Sequence, residues 1–220
     1  MKNKKELFKP KMPDFTFNNA VVGSVFTNEW IYAHCYKEAA NALVNIALEK
    51  HRMDVMFYPI CYLYRHCIEI TLKELIRDLN KLIEIKKSIG DIAFNDEKYK
   101  VNIKKLTNNH NLESLFNNLE QRLRLFSDES IPQNIRNTVL QLNNFDSNSQ
   151  RFRYSKFKKK EVKLIKSFPD IEHINLNKIK DELGEAINFL QGGVGGWLHN
   201  YTSYFEDVLQ DMKSLERNNY

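Results

Sequence analysis

Residues that form tight turns are scarce in this sequence. Its 220 residues include seven glycines and five prolines, whereas a protein built from many short strands needs such residues at most of its turns. This scarcity argues against a many-stranded sandwich and favours long helices. Apolar residues make up 42% of the chain and charged residues 28%, which is typical of a folded domain. We predict one folded domain over residues 28–217, preceded by an irregular arm over residues 1–27.

Long apolar runs are also missing. No stretch reaches the roughly 18–20 uninterrupted apolar residues that a membrane-spanning helix requires. The basic N-terminus, residues 1–5, is not followed by the apolar segment of a signal peptide. We therefore expect a cytoplasmic protein without a membrane partner.

The cysteines are few and do not form a recognisable pattern. Cys35, Cys61 and Cys67 are an odd number and lack a disulfide-framework spacing. Cys61 and Cys67 are six residues apart, without the further Cys–His pair of a zinc site. All three lie within apolar helical patterns, where a thiol behaves as a small core residue. We predict three buried, reduced thiols, and neither a metal site nor a cofactor.

Apolar residues recur at helical spacing in five segments of the chain. The longest begins near Asp54, has Pro59 in its first turn, and continues to about Lys87, with Gly90 positioned to end it. The other helices are expected to begin near Asn28, Asn109 or Asn111, Pro132, and Asn175 or Asn177. This pattern predicts an all-α, up-and-down helical bundle of about five helices. A basic loop or short hairpin, residues 146–175, is inserted before the last helix.

A glycine-rich run interrupts the last predicted helix. Residues 192–196 read Gly-Gly-Val-Gly-Gly, and each glycine inside a helix costs up to about 1 kcal/mol relative to alanine. The run predicts a kink or break, a close approach by another helix or a partner subunit, or a loop that faces a ligand. A phosphate-binding loop would need a preceding strand, which the pattern does not provide.

The longest helix carries a polar stripe. Arg65 and Glu69 are four residues apart, as are Glu69 and Lys73, and His66 precedes Glu69 by three, so these side chains share one side of the helix. One interpretation is an intrahelical ladder of ion pairs with a structural histidine. The other is that Arg65, His66 and Glu69 converge on a functional site between helices.

Three blocks in order resemble helical bacterial proteins of the HEPN class. They are Leu-Tyr-Arg-His-Cys-Ile-Glu-Ile-Thr-Leu-Lys from residue 63, His-Asn-Leu from residue 110, and Asp-x-x-Ser-x-x-Phe-Arg-Tyr from residue 146. The resemblance implies a bundle that forms a homodimer, with a role in bacterial toxin–antitoxin or antiviral (phage) defence systems and a protein partner from the same system. The catalytic members carry Arg, four to six residues, then His on one helix. This chain lacks that spacing, so ribonuclease activity does not follow from the resemblance.

Cleavage of RNA without a metal would therefore need a different set of residues. Such a reaction requires a base for the ribose 2′-hydroxyl, an acid for the leaving oxygen, and cations beside the phosphate. We predict His66 and His110 as acid and base, Arg65 as a phosphate clamp, and Glu69 as the group that orients His66 or Arg65. Arg151 and Arg153 are further clamps.

A basic segment, residues 151–166, contains eight basic residues and one acidic residue, a net charge of +7, whereas the whole chain carries +5. Aromatic residues alternate with the basic ones, a combination that suits single-stranded nucleic acid; the alternatives are a solvated loop and, for Asp146 with Arg153, a buried ion pair. The predicted nucleic-acid-binding residues are Asp146, Arg151, Arg153, Tyr154, Lys156, Lys158, Lys159 and Lys160.

We expect an RNA-directed protein, an endoribonuclease in its catalytic form; the alternative is a non-catalytic module that binds a nucleic acid, a nucleotide or a protein.

Overall fold

The chain folds into an all-α helical bundle, in agreement with the prediction. The computed structural model describes residues 28–91, 102–159, 163–166 and 173–218, so the arm predicted for residues 1–27 lies outside the described residues. The elements are α1 (Glu29–Glu49), α2 (Met53–Ser88), α3 (Ile103–Thr107), α4 (Leu112–Leu123), α5 (Gln133–Phe145), β1 (Lys156–Lys159), β2 (Lys163–Lys166), α6 (Leu176–Asn188), a π-helix (Phe189–Gly195) and α7 (Gly196–Asn218). None of the described helices is long and apolar enough to cross a membrane.

Helix α2 is the centre of the bundle. It packs against α1, α4, α6, the π-helix and α7, and sixteen of its residues are buried. Gly90, with φ of +86°, follows its C-terminal end as predicted. The prediction that Pro59 lies in the first turn was wrong, because the helix begins at Met53 and Pro59 lies in its second turn. The carbonyl that loses its partner there belongs to Val55, which is 63% exposed, so water can solvate it.

Asparagine side chains cap four of the described helices, and three of these caps were expected from the sequence. Oδ1 of Asn28 accepts from the Ile31 amide at 2.9 Å, Oδ1 of Asn111 from the Ser114 amide at 2.8 Å, and Asn175 caps α6 in the same way. Each bond satisfies a backbone donor that the helix itself leaves free. These caps had been predicted; Pro132 differs by one position, since it is the N-cap of α5 rather than its first residue.

The glycine-rich run neither breaks the last helix nor forms a loop. The chain continues from α6 through the π-helix into α7, so the run widens one turn instead of ending the helix. Close approach, one of the three alternatives, applies to Gly195: a Cβ atom there would lie 3.2 Å from Cη2 of Trp30 in α1. The N-terminal end of α1 therefore packs directly on the backbone of the π-helix.

Alanine substitutions should separate this close approach from ordinary helix propensity. Gly184→Ala, inside α6 with no atom within 4 Å of the new Cβ, should raise the free energy of unfolding by about 0.5–1 kcal/mol. Gly195→Ala should give no such gain, because the new methyl group forces Trp30 to shift. Urea denaturation of both variants measures the difference, and equal gains would contradict the packing of Trp30 on Gly195.

The basic insertion contains a short antiparallel hairpin. Strands β1 and β2 pair with Lys156 opposite Lys166 and Phe157 opposite Ile165. Phe152, which also belongs to the predicted insertion, precedes the strands and is buried in the core.

The prediction for the cysteines was wrong in one case. Cys61 and Cys67 are buried free thiols, but Cys35 is exposed on α1. The apolar periodicity of α1 is too weak to assign every face, because this helix packs on its neighbours mainly through small residues such as Ala33, Ala40 and Ala47.

Candidate acid–base and nucleic-acid site

Arg65 is the largest fully buried side chain among the described residues. Its Nη1 donates to Oε2 of Glu69 at 3.0 Å, its Nη2 to the backbone carbonyl of His110 at 2.6 Å, and its Nε to the backbone carbonyl of Asp146 at 2.9 Å. One guanidinium thus joins α2 to the residues just before α4 and to the end of α5. With 0% exposure, Arg65 cannot contact an RNA phosphate, so its predicted role as a clamp does not fit this structure.

Glu69 connects the buried arginine to the surface. Its Oε1 accepts from Nζ of Lys73 at 2.8 Å and lies 2.8 Å from Nδ1 of His110, while Lys73 also donates to the carbonyl of Thr107 at 2.9 Å. The Glu69 side chain is 4% exposed and that of His110 is 53% exposed. The imidazole is therefore held on one edge by a buried carboxylate and is open to solvent elsewhere.

The charge of Glu69 is fixed by its neighbours. Burial alone would raise the pKa of this carboxyl, but the hydrogen bonds and charges of Lys73 and His110 outweigh burial and hold the pKa below its usual range. Glu69 is therefore ionised at neutral pH and can accept a hydrogen bond from Nδ1–H of His110. A carboxylate in this position orients an imidazole and stabilises its protonated form.

Asp146 organises the turn that leads to the basic segment. Its Oδ1 accepts from the amides of Gln150 at 2.7 Å and Arg151 at 3.0 Å, and its Oδ2 lies 3.4 Å from Nε of Arg65. Asp146 is completely buried, so the prediction that it contacts nucleic acid is not supported by its position. The buried ion pair considered for Asp146 exists, but its partner is Arg65 rather than Arg153.

His66 belongs to a separate aromatic cluster on the neighbouring face of α2. Its ring stacks on Tyr62 with centroids 5.7 Å apart and planes within 7°, and the Tyr36 ring of α1 meets it edge-on at 4.6 Å. Burial lowers the pKa of His66, and the nearby charge of Glu69 offsets this only in part. The imidazole is therefore neutral at pH 7 and able to accept a proton.

The lowered pKa of His66 predicts a dependence of stability on pH. The unfolded chain binds a proton near the ordinary histidine pKa of about 6.5, and the folded protein binds it only at lower pH. The free energy of unfolding should therefore fall as the pH is lowered from 7 through this range. His66→Phe keeps a stacking ring but cannot titrate, so urea denaturation at several pH values should show a shallower slope. An unchanged slope would contradict the burial of a neutral His66.

The exposed part of the site is cationic and aromatic. The Arg153 guanidinium lies 5.9 Å from the ring centroid of Tyr62 and 5.6 Å from that of Tyr154, and Tyr154 is 54% exposed. Arg151 is half-buried. Beyond them the backbone enters the hairpin; Lys160 lies outside the described residues, and for Lys156, Lys158 and Lys159 only the backbone is described.

Most of the predicted site residues whose side chains the structure describes belong to one of two groups. Arg65, Glu69, His110 and Asp146 form a buried network that reaches the surface at His110, and His66 contacts Arg153 indirectly through Tyr62. The structure does not bring His66 and Glu69 into a hydrogen bond, although three residues separate them. The ladder interpretation of the polar stripe is confirmed for Arg65, Glu69 and Lys73, whose ion pairs also anchor the neighbouring segments. The interpretation of the stripe as a functional site stays a prediction.

No protein-family model, curated protein or solved structure matches this chain. The resemblance to the HEPN class remains a prediction from three short blocks. The argument for a function therefore depends on the chemistry of the site.

Three residues of the site were not among the predicted functional ones. Tyr62 precedes His66 by one helical turn, a spacing that could have indicated ring stacking. Lys73 was visible as the end of the polar stripe. Tyr36 comes from α1, and no local pattern connects it to His66.

Proposed function

We propose that this protein binds single-stranded RNA and cleaves it with His66 and His110. The observation that carries the proposal is the half-exposed His110, whose Nδ1 lies 2.8 Å from the buried carboxylate of Glu69. A second imidazole, the neutral His66, lies on the same helix as Glu69, and cationic and aromatic side chains adjoin it. An RNA-directed role is also what the HEPN resemblance implies, together with a toxin or phage-defence context and a homodimer.

The roles of the two histidines follow from their surroundings. His66, whose pKa is lowered, accepts the proton of a ribose 2′-hydroxyl. The 2′-oxygen attacks phosphorus, the bond from phosphorus to the 5′-oxygen breaks, and His110 donates a proton to that oxygen. The products are a 2′,3′-cyclic phosphate and a 5′-hydroxyl. Glu69 holds the His110 imidazole in position through the 2.8 Å contact between Oε1 and Nδ1, and Arg65 holds the two loops in position without touching the RNA.

Binding of RNA requires a surface that neutralises phosphates and stacks on bases. Arg153 provides a charge beside the rings of Tyr62 and Tyr154, and the adjoining segment, residues 156–166, adds six lysines and one glutamate. Aromatic side chains between cations are the usual means of binding single strands without sequence preference. The same composition would serve the alternative function, a non-catalytic RNA-binding module. That alternative is favoured by the burial of Arg65, since each of its three nitrogen atoms donates to a structural acceptor.

The test is an anisotropy titration of a fluorescent single-stranded RNA between about 50 and 200 mM salt in EDTA. Replacing Lys158, Lys159 and Lys160 by alanine should reduce the slope of log K against log salt by about 2, since each phosphate contact to a single strand contributes roughly 0.7. Tyr154→Ala should weaken binding by about 5- to 100-fold, with an unchanged slope, because stacking is not ionic.

The controls separate local from general charge effects. Replacing three exposed lysines outside the basic segment, Lys50, Lys178 and Lys213, removes the same charge and should change the slope much less. Gel analysis of the same mixtures detects cleavage, and RNA with 2′-O-methyl groups should bind without being cut. Binding without cleavage of ordinary RNA would establish the non-catalytic module, and equal effects of both lysine triples would refute the RNA-binding surface.

A further inference from the structure

A polar cavity lies beside the π-helix, and none of the residues that line it belongs to the site described above. Its volume is about 510 Å³, and it lies between the start of α1, the C-terminal third of α2 and the first half of α7. This volume is within the range of small-molecule sites, about 300–1,000 Å³. π-Helical turns occur frequently at functional sites. Of the three glycines in this one, Gly195 is required by the packing of Trp30, whereas a Cβ atom at Gly192 would meet no atom within 4 Å.

Asp78 gives the cavity its charge. The carboxyl group is half-buried and lines the cavity, and within the described residues no cationic group lies within ion-pair distance of it. Burial raises the pKa of Asp78, while a hydrogen bond from the Trp30 side chain and the nearby charge of Lys81 oppose the effect. A partly desolvated carboxylate without a counter-ion is stabilised by any cation that enters beside it.

The other charges on the lining do not supply that cation. Lys81 pairs with Glu206 across the edge of the cavity, with 2.6 Å between Nζ and Oε1. The two carboxylates and one ammonium group leave a net charge of −1 when His199 is neutral. The cavity therefore disfavours anions such as phosphates.

A second polar group of the lining has no partner. Thr202 in α7 is 8% exposed, lines the cavity, and its Oγ1 atom is buried with no hydrogen-bond partner among the described residues. Buried hydroxyl groups are almost always hydrogen-bonded, so this unpaired one, on a residue that lines the cavity, can accept from a ligand once the threonine side chain rotates toward it. Trp30, which packs an edge on Gly195, forms an aromatic wall beside Asp78.

We propose that this cavity binds a planar organic cation, an amidinium or guanidinium group, whose N–H groups donate to the Asp78 carboxylate and the Thr202 hydroxyl beside the Trp30 indole. A planar fork of donors matches a carboxylate in a bidentate way, and such cations also stack on indole rings. Binding at this cavity does not depend on the proposed action on RNA.

The test uses three probes of one shape and different charge: benzamidine as the cation, benzamide as the neutral analogue and benzoate as the anion. The chain has two tryptophans, so Trp197→Phe leaves a single indole N–H signal, that of Trp30, in ¹H–¹⁵N spectra. Benzamidine should shift this signal with saturation. Benzamide should bind at least about ten-fold more weakly, and benzoate should cause no saturable shift, as expected for charge-assisted hydrogen bonds.

Substitutions then locate the site. Asp78→Asn should weaken benzamidine binding by at least about ten-fold. Asp207→Asn, which removes an exposed carboxylate of α7 outside the cavity, should leave binding unchanged. Thr202→Val should weaken binding without lowering stability, so it tests the site even where Asp78→Asn impairs folding. Equal shifts by the three probes, no saturable shift at all, or identical effects of the two aspartate substitutions would overturn the proposal.

Discussion

Replacing Arg65 by methionine should lower the free energy of unfolding by about 3–5 kcal/mol, the range measured when one partner of a buried ion pair is removed. The substitution leaves Glu69 without one of its cations. It leaves Asp146 with no cation within ion-pair distance among the described residues, and both carboxylates are in the interior. It also removes the donors to the carbonyls of His110 and Asp146. Urea denaturation followed by circular dichroism measures the loss.

A matched substitution on the same helix provides the control. Arg77 pairs with Glu74 one turn away, but its side chain is 31% exposed. Arg77→Met should therefore cost less than about 1 kcal/mol, as partly exposed pairs do. If both substitutions cost the same, the buried network does not have the structural role that its geometry indicates. A loss of RNA cleavage in an Arg65 variant is informative only after stability has been measured.

Replacing His110 by alanine should reduce cleavage of single-stranded RNA by about 10²- to 10⁴-fold, the usual contribution of a general acid or base. Stability should change little, because the imidazole is half-exposed and Arg65 bonds to the backbone carbonyl of His110, which the variant keeps. Single-turnover rates with EDTA, with protein in excess over a labelled RNA, measure the chemical step.

Two further variants decide the origin of any activity. His34→Ala removes an exposed histidine of α1 and should cleave at the wild-type rate. His66→Phe should lose activity to an extent similar to His110→Ala if the two imidazoles share the reaction. Wild-type activity in His110→Ala would exclude this residue from the chemistry, and RNA binding without cleavage by all variants would support the non-catalytic module.

Local chemistry explains the elements that could be predicted from the sequence. The apolar repeat of α2, the left-handed glycine that follows it, and the asparagine caps of α1, α4 and α6 each depend on a few neighbouring residues. The error at Pro59 has the same origin. Proline is safest in the first turn, but a second-turn proline is tolerated where the released carbonyl is exposed, and exposure is not a local property.

The same distinction between local and long-range contacts applies to the candidate site. Spacing alone determined that Arg65, Glu69 and Lys73 would align, because residues four apart share a helix face. It could not determine that Arg65 and Asp146 are wholly buried, since their burial depends on the loops before α4 and after α5, 45 and 81 residues away from Arg65. It also could not assign Glu69 to His110 instead of His66.

The sequence by itself determined the fold class, most helix ends and the basic character of residues 151–166, because periodicity, capping and charge depend only on residues that are close together in the chain. Only the tertiary structure decided which polar residues are accessible. Packing of α1 placed Tyr36 on His66 and Trp30 on the π-helix, and packing of α4 and α5 on α2 enclosed Arg65 and Asp146. Accessibility arises from contacts between distant segments, so it separates residues that support the site from those that can meet a ligand.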